Sequence, residues 1–289
     1  MIIKGFKKIK NTFKSLGLAG YTFSKNEGFE HAGYLSFLLM LSIFPFLVLM
    51  VSIVSLIGEH KLSVLFLEII LSPEIEVFFK SIKARLIEII KSPPEGLLTF
   101  VALSAIWTAS SMLEAIKTCL NKAYCVKTPP NYLLRRLFSI VEFLILLIFI
   151  LTILSILLFA PTILDYLFKL LHIDIENSSI ITLVNENSKQ IRSGFLMIFG
   201  FITVIGLYHF IPNHKGWRLR HAAPGAVLVL IAWSGFSMLF KFYLGYFTQL
   251  NIIYGGIAGI IITLIFFYVC SIIFVYGAEF NFHLHKKSK

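Results

Sequence analysis

Six long apolar segments restrict the chain to folds that cross a lipid bilayer several times. A membrane-spanning helix needs about 20 mainly apolar residues. Six segments meet this requirement, and they cover residues 33–57, 96–116, 137–160, 194–211, 223–247 and 252–280. Pro161 and Pro212 follow the third and fourth segments directly, and only residues 248–251 separate the last two, which predicts a tight antiparallel hairpin. We therefore expect an all-α, polytopic membrane helix bundle that forms one membrane domain over residues 1–289.

The composition excludes a water-soluble fold. Hydrophobic residues make up 57% of the chain and charged residues 14%, whereas soluble domains carry about 25% charged residues. The mean hydropathy is +0.86. Too few charges are present to cover a water-facing surface, so lipid is the natural solvent for this chain.

The distribution of basic residues predicts the orientation of the bundle. Lys and Arg concentrate in loops that stay in the cytoplasm. With the N-terminus inside, 17 of the 26 Lys and Arg residues fall in the inside segments 1–32, 117–136, 212–222 and 281–289. Eight fall in the outside loops 58–95 and 161–192. The bias favours six spans with both termini in the cytoplasm, and it makes the net charge of +11 a topology signal and not a sign of nucleic-acid binding. The alternative of five spans omits the polar second segment and places the termini on opposite sides.

Two further segments have the apolar spacing of amphipathic helices. Near the N-terminus, apolar residues recur every three or four positions between lysines, at Ile3, Phe6, Ile9, Phe13 and Leu16. A basic amphipathic helix of this kind lies on an anionic membrane surface, so membrane lipids are the predicted partner. A signal peptide is the competing interpretation, but the lysines interrupt its apolar stretch. Residues 62–90 have similar spacing after Pro73, and they would either float on the outer leaflet or cap the bundle as a lid.

Polar residues inside the spans are the candidates for a substrate path, because ionisable groups cost free energy in a membrane. The second span carries a polar stripe at spacings of three and four: Trp107, Ser110, Glu114, Lys117 and Asn121. The alternative is that Glu114 and Lys117 pair with each other near an interface. Glu142 in the third span could pair with Arg135, Arg136 or Lys117. Lys241 in the fifth span either extends its charged end outward or faces a cavity.

Proline and glycine residues mark candidate positions for helix kinks and close packing. Pro45 lies in the middle of the first span, where a proline usually kinks a helix and Ser42 can bond a freed carbonyl. Gly255, Gly256 and Gly259 form a small-residue surface on the sixth span. Small residues four apart permit close contact between helices, and a hinge is the alternative role.

Catalytic and cofactor motifs are missing from the sequence. The histidines have no zinc-ligand spacing with Cys or acidic partners, and no nucleophile elbow, phosphate-binding loop or dinucleotide motif is present. The three cysteines have no disulfide or metal-binding spacing. We therefore expect no metal, no cofactor and no enzyme activity.

Several short motifs resemble the YihY/BrkB family of bacterial inner-membrane proteins. The similar stretches are LSIFP (41–45), WTAS (107–110), LNKAY (120–124), YHFIPN (208–213), WRLRHAAPGA (217–226), YGGIAG (254–259) and GAEFN (277–281). Together they extend over about residues 30 to 283. One departure is Gly256, where the family usually has Ser.

The resemblance implies a six-span protein of the bacterial inner membrane. Some members of that family are linked to movement of lipid precursors, so a transporter or flippase of a lipid or another amphiphile is the leading functional hypothesis. The alternative is a structural or regulatory membrane protein of the envelope, acting as a homo-oligomer or with other envelope proteins. The family's historical ribonuclease label is the least favoured function, since the sequence contains no metal cluster and no soluble domain for RNA.

Overall fold

Long helices account for almost all of the chain that the structure describes. The computed structural model describes residues 2–57, 95–127, 131–170, 188–213, 218–247 and 256–286, with side chains over a smaller part of these ranges. Within them the chain forms seven helices and no strand: α1 (Ile2–Lys25), α2 (Gly28–Ile57), α3 (Glu95–Ala123), α4 (Tyr132–Leu170), α5 (Ser188–Phe210), α6 (Leu219–Phe247) and α7 (Gly256–Lys286). The predicted all-α membrane bundle is confirmed.

Five of these helices are long and apolar enough to cross a membrane. The candidate spans are Gly28–Ile53, Thr99–Ala123, Tyr132–Ile153, Leu219–Leu244 and Gly259–Lys286. Each overlaps a predicted span. The predicted fourth span lies in α5, where the apolar stretch Met197–Phe210 is shorter, so the count of six spans stays a prediction.

Helix boundaries differ from the predicted spans at several ends. Helix α4 ends at Leu170 and so continues past Pro161, which was expected to close it. A proline removes one backbone hydrogen bond and bends a helix, but the following turns can still form. Helix α5 ends at Phe210, just before Pro212, as predicted. The predicted amphipathic helix at 62–90 and the hairpin turn at 248–251 lie outside the described residues.

Helix α2 occupies a central place, because it packs against both α3 and α7. Helix α7 also contacts α1 and α6, while α4 packs mainly on α3 and α5 mainly on α6. The core between them is apolar and includes Val48, Met50, Leu113, Leu120 and Val229. Large apolar side chains also cover the outer faces of α4 and α6. An outer surface of this kind is suited to lipid and unsuited to water.

Contacts between distant parts of the chain bring several helix ends to one end of the bundle. Lys122 near the end of α3 pairs with Glu27 before α2. The Asn121 side chain accepts a hydrogen bond from the backbone N–H of Asn213, after α5 (2.9 Å). The C-terminal part of α7 contacts α1 through Glu279 and α6 through Asn281. Residues from the four segments predicted to be cytoplasmic thus contact one another or their neighbours, while the number of spans and their orientation stay predictions.

A left-handed residue ends α3 sharply at this end of the bundle. Cys125 has φ of 54°, and its N–H bonds the carbonyl of Lys122, while the N–H of Val126 bonds the carbonyl of Asn121. This pair of bonds is the Schellman motif, which satisfies carbonyls that a helix end leaves without partners. The turn lets the chain leave α3 toward α4.

Candidate functional site

Ionisable and polar side chains lie between α3 and α4, inside two candidate membrane spans. We call this group the α3–α4 cluster. It consists of Trp107, Ser111, Glu114 and Lys117 from α3 and Arg135, Arg136, Ser139 and Glu142 from α4. The polar stripe predicted on α3 therefore includes charged side chains that belong to this cluster. The partners of these side chains lie on α4.

Lys117 and Glu142 form the tightest ion pair of the cluster. The Lys117 Nζ donates to Oε1 of Glu142 at 2.5 Å. The Lys117 side chain is 6% exposed and that of Glu142 is 23% exposed. Lys117 was one of the partners considered for Glu142, and the structure selects it. The pair joins the two helices within their candidate spans.

Glu114 forms two contacts with α4. Its Oε1 lies 3.3 Å from Nε of Arg135, and its Oε2 accepts a hydrogen bond from the Ser139 hydroxyl at 3.0 Å. The alternative in which Glu114 pairs with Lys117 on the same helix is wrong, since each of them pairs across to α4. The α3–α4 contact is therefore held by oppositely charged groups from both helices.

Arg136 lies against the lipid-facing edge of the cluster and differs from the other charges. Its NH1 donates to the Ser111 hydroxyl (2.9 Å) and its NH2 to the carbonyl of Trp107 (2.8 Å). The guanidinium carbon lies 4.2 Å from the centroid of a Trp107 ring, which is a cation–π geometry. Arg136 is 8% exposed, whereas Trp107 is 61% exposed. The indole therefore covers the cation from outside.

Two residues of the predicted stripe do not join the cluster. Ser110 is fully buried and donates to the carbonyl of Trp107, on its own helix. Asn121 is also fully buried and contacts Asn213 after α5. They lie on the same face of α3 as Glu114 and Lys117, since positions three, four and seven apart share a face, but their hydrogen-bond partners are Trp107 and Asn213 and not residues of α4.

The other predicted positions lie elsewhere in the bundle. Lys241 is exposed near the C-terminal end of α6. Pro45 lies inside α2, but Ser42 bonds the carbonyl of Leu39 and not that of Leu41, which is the carbonyl left without a backbone donor by the proline.

The predicted glycine contact is not found among the described residues. An added Cβ at Gly259 would meet no described atom within 4 Å, and the side-chain surroundings of Gly255 and Gly256 lie outside the described part. The close approach occurs at Gly225 and Gly277 instead, where α6 crosses α7.

A second polar group joins α1 to α7. Glu279 is 1% exposed, and its two oxygens accept hydrogen bonds from Thr22 (2.8 Å) and Asn26 (2.6 Å). The Thr22 hydroxyl also lies 2.9 Å from Nε2 of His283. The position of Glu279 at the cytoplasmic end of the predicted sixth span indicates an interfacial anchor, but the sequence does not reveal its partners, which are more than 250 positions away.

A missed residue, Asn281, fastens α6 to α7. Its Oδ1 accepts from the N–H of Gly225 (2.6 Å), and its Nδ2 donates to the carbonyl of Ala222 (3.1 Å). Both peptide groups belong to the first two turns of α6, on either side of Pro224, which has no N–H. A buried side chain of α7 thus bonds the backbone of α6 directly.

Two ionisable groups outside the spans have shifted pKa values. The hydrogen bond and charge of Lys122 lower the pKa of Glu27, which favours its ionised form beside the lysine. Burial raises the pKa of Tyr124, so its hydroxyl stays protonated. Among the described residues, no group of three or more His, Cys, Asp or Glu is placed to bind a metal ion.

Comparisons with known proteins extend over nearly the whole chain. Residues 19–289 match the family described as virulence factor BrkB. The ribonuclease-like protein YfkH of Bacillus subtilis is 31% identical over 272 residues, which cover 92% of this chain and 94% of that protein. The UPF0761 membrane protein of Vibrio campbellii is 34% identical over 83 residues, which cover 29% of this chain and 26% of that protein. No solved structure matches the chain.

Proposed function

Since the chain belongs to the virulence factor BrkB family of membrane proteins, we propose that it moves a lipid or another amphiphile across the bacterial inner membrane. The observation that supports this function is the α3–α4 cluster. A charged residue at the centre of a spanning helix costs about 2.5–3.5 kcal/mol on insertion scales. Five charged residues of the cluster lie within the candidate spans of α3 and α4, which is a concentration that packing alone does not require.

The position of the cluster at the edge of the bundle suits an amphiphile. Glu114, Arg135 and Glu142 keep between 15% and 24% of their side chains exposed. The neighbouring surface of α3 and α4 is apolar, with Phe100, Leu103, Leu137 and Val141 exposed. A lipid could keep its acyl chains on this surface while its polar headgroup exchanges contacts with the charged groups. The headgroup would then move along these charged groups and would avoid contact with the apolar interior of the bilayer.

A structural function is the second candidate, and the ion pairs favour it. Lys117 with Glu142 and Arg135 with Glu114 are complete pairs, and such pairs can hold α4 on α3 without any substrate. Under this function the protein would be a non-transporting component of the envelope. The two candidates differ in whether the charges are needed for movement of lipid once the fold is intact.

The ribonuclease-like name belongs to the Bacillus relative and does not direct our proposal. The described charged cluster lies within membrane spans, where a water-soluble RNA chain would not reach it. The proposal therefore rests on lipid as the substrate class and on movement without covalent chemistry.

A lipid-translocation assay tests the proposed function. The purified protein is reconstituted into vesicles that carry a fluorescent lipid in both leaflets, and a membrane-impermeant reductant bleaches the outer leaflet. We expect wild-type protein to make inner-leaflet lipid accessible faster than in protein-free vesicles, and Glu114→Gln to slow this step. Arg220→Gln, which changes an exposed arginine at the start of α6, is the control. Equal rates with and without protein, for anionic and zwitterionic lipids alike, would contradict the proposal.

A further inference from the structure

Arg136 is a buried cation for which the described residues provide no counter-anion. Its partners among the described residues are the neutral oxygens of Ser111 and Trp107 and the Trp107 ring. Its Nε is buried and has no hydrogen-bond partner. By contrast, Lys117 and Arg135 each lie against a carboxylate. A buried charge without a partner is costly, and it usually has an anion or a metal-bound group as its complement.

The position of this cation differs between its two helices. Ser111, which accepts from Arg136, lies at the middle of the candidate span Thr99–Ala123, whereas Arg136 is the fifth residue of the candidate span Tyr132–Ile153, about 6 Å from its end at the rise of an α-helix. The guanidinium is nevertheless held between two candidate spans and away from solvent. A charged group buried within spans is a candidate for a pathway or a binding site.

The surroundings indicate which anion fits. Trp107 covers the guanidinium and is itself 61% exposed, while the Nε of Arg136 is buried without a hydrogen-bond partner. An anion arriving from the bilayer would therefore contact the indole first and would bind the guanidinium after the indole moves aside. A guanidinium binds phosphate through paired, charge-assisted hydrogen bonds. The nearby carboxylates of Glu114 and Glu142 are already engaged with cations, which leaves the positive charge of Arg136 in excess.

We propose that Arg136 and Trp107 form a binding site for the phosphate of an anionic lipid headgroup, with the acyl chains on the apolar surface of α3 and α4. The site rests on the proposed lipid function, and it adds the substrate class: anionic phospholipids or other lipid phosphates in preference to zwitterionic lipids. The Arg136 guanidinium binds the phosphate, and the Trp107 ring supports the guanidinium and contacts the upper acyl chain.

Quenching of Trp107 fluorescence by brominated lipids measures this preference at equilibrium. Trp217→Phe and Trp233→Phe leave Trp107 as the only tryptophan. The protein is placed in vesicles that contain either brominated phosphatidylglycerol or brominated phosphatidylcholine at equal fractions. We expect the anionic lipid to occupy the site about tenfold more strongly, which is a typical effect of one charge-assisted contact.

Variants of Arg136 test the charge requirement. Arg136→Gln keeps donors for Ser111 and the Trp107 carbonyl but removes the charge, so both lipids should quench equally. Arg136→Lys keeps the charge and should retain a weaker preference for the anionic lipid. If Arg136→Gln does not fold, the lipid preference of Arg136→Lys tests the site instead. Arg220→Gln should behave as wild type. Equal quenching by both lipids in the wild-type background, or an unchanged preference in Arg136→Gln, would overturn the site.

Two further comparisons distinguish a lipid phosphate from a soluble phosphate, and distinguish failure of this site from failure of the proposed transport function. In the first, inorganic phosphate and glycerol phosphate are added to the vesicles with anionic lipid. Unchanged quenching of Trp107 assigns the site to the lipid headgroup. Relief of quenching assigns the same phosphate site to a soluble ligand and overturns the lipid assignment. Selective binding without lipid translocation would keep this site and contradict transport. Translocation without selectivity would keep transport and contradict this site.

Discussion

Two glycines determine how closely α6 and α7 approach each other. A Cβ added at Gly225 would overlap the Asn281 side chain and the carbonyl of Gly277, and one added at Gly277 would overlap Val229 and the Tyr208 hydroxyl. Close backbone contact of this kind is common between membrane helices, where small residues permit van der Waals packing. The contact also brings Asn281 within reach of the backbone in the first two turns of α6.

Gly225→Ala should therefore destabilise the protein by about 1–3 kcal/mol, as overpacking of a tight contact does. Thermal unfolding of the purified protein in detergent measures the effect as a lower melting temperature. Gly235→Ala is the matched control, since it lies on the same helix and its added methyl would meet no atom of the described residues within 4 Å. The control should be neutral or slightly stabilising, because Ala favours helix by up to about 1 kcal/mol over Gly. Equal losses in both variants would contradict the packing explanation.

At the scale of helices, α1 is attached to the bundle by a few directed contacts. The Glu279 carboxylate of α7 accepts from Thr22 and Asn26, and the Tyr276 hydroxyl donates to the carbonyl of Leu16 (2.9 Å). The opposite side of α1 exposes Phe13 and Tyr21. This division fits the predicted position of α1 on a membrane surface, with one face on the bundle and the other toward lipid.

The paired change Thr22→Val with Asn26→Leu should loosen α1 from α7. Each hydrogen bond to a charged group contributes about 1.5–3 kcal/mol, and both donors to Glu279 would be lost. We expect backbone amides of α1 to exchange with deuterium at least about tenfold faster, while those of α2 and α7 change little. Ser24→Ala, at an exposed position of α1, is the control. Unchanged exchange in α1 would show that these hydrogen bonds do not hold the helix.

The ion pair of Lys117 with Glu142 is predicted to stabilise the packing of α4 on α3. Lys117→Met leaves the Glu142 carboxylate without its cation and should cost about 3–5 kcal/mol, as removal of one partner from a buried pair does. Lys117→Met combined with Glu142→Leu removes both charges and should recover most of that loss. Thermal unfolding of the wild type, both single variants and the double variant measures the coupling. Additive losses would show that the two side chains do not interact.

For the molecule as a whole, an existing cysteine can test the predicted orientation. Cys125 is exposed, Cys119 is buried and Cys270 is half-buried in α7, and Cys125 lies in a segment predicted to be cytoplasmic. In a Cys119→Ala, Cys270→Ala background, a membrane-impermeant maleimide should label Cys125 in inverted membrane vesicles but not in intact cells. Labelling in intact cells would place that end of the bundle outside and reverse the topology.

Much of the fold follows from the sequence because long apolar segments in a membrane have few alternatives to helices. The number of spans and their orientation, which come from the count of Lys and Arg, stay predictions. Helix ends were less predictable, as α4 shows by continuing past Pro161. Proline weakens a helix locally, and the surrounding packing that decides whether the helix continues is not visible in the sequence.

The site was predictable only in part. Spacing on α3 identified Trp107, Glu114 and Lys117, because one helix face can be derived from its period of 3.6 residues. The same spacing could not show that Ser110 and Asn121 have partners outside α4, or that Arg136 lies under Trp107. Those relations depend on how α4 and α5 pack against α3, which involves residues distant in sequence.

The central claim is that charges between α3 and α4 carry a lipid headgroup across the membrane, and the double variant Lys117→Met with Glu142→Leu tests it most directly. In reconstituted vesicles, the account predicts that this variant keeps a melting temperature near that of the wild type but moves fluorescent lipid no faster than protein-free vesicles do. A stable double variant that moves lipid at the wild-type rate would contradict the claim and leave the ion pair with a structural function alone.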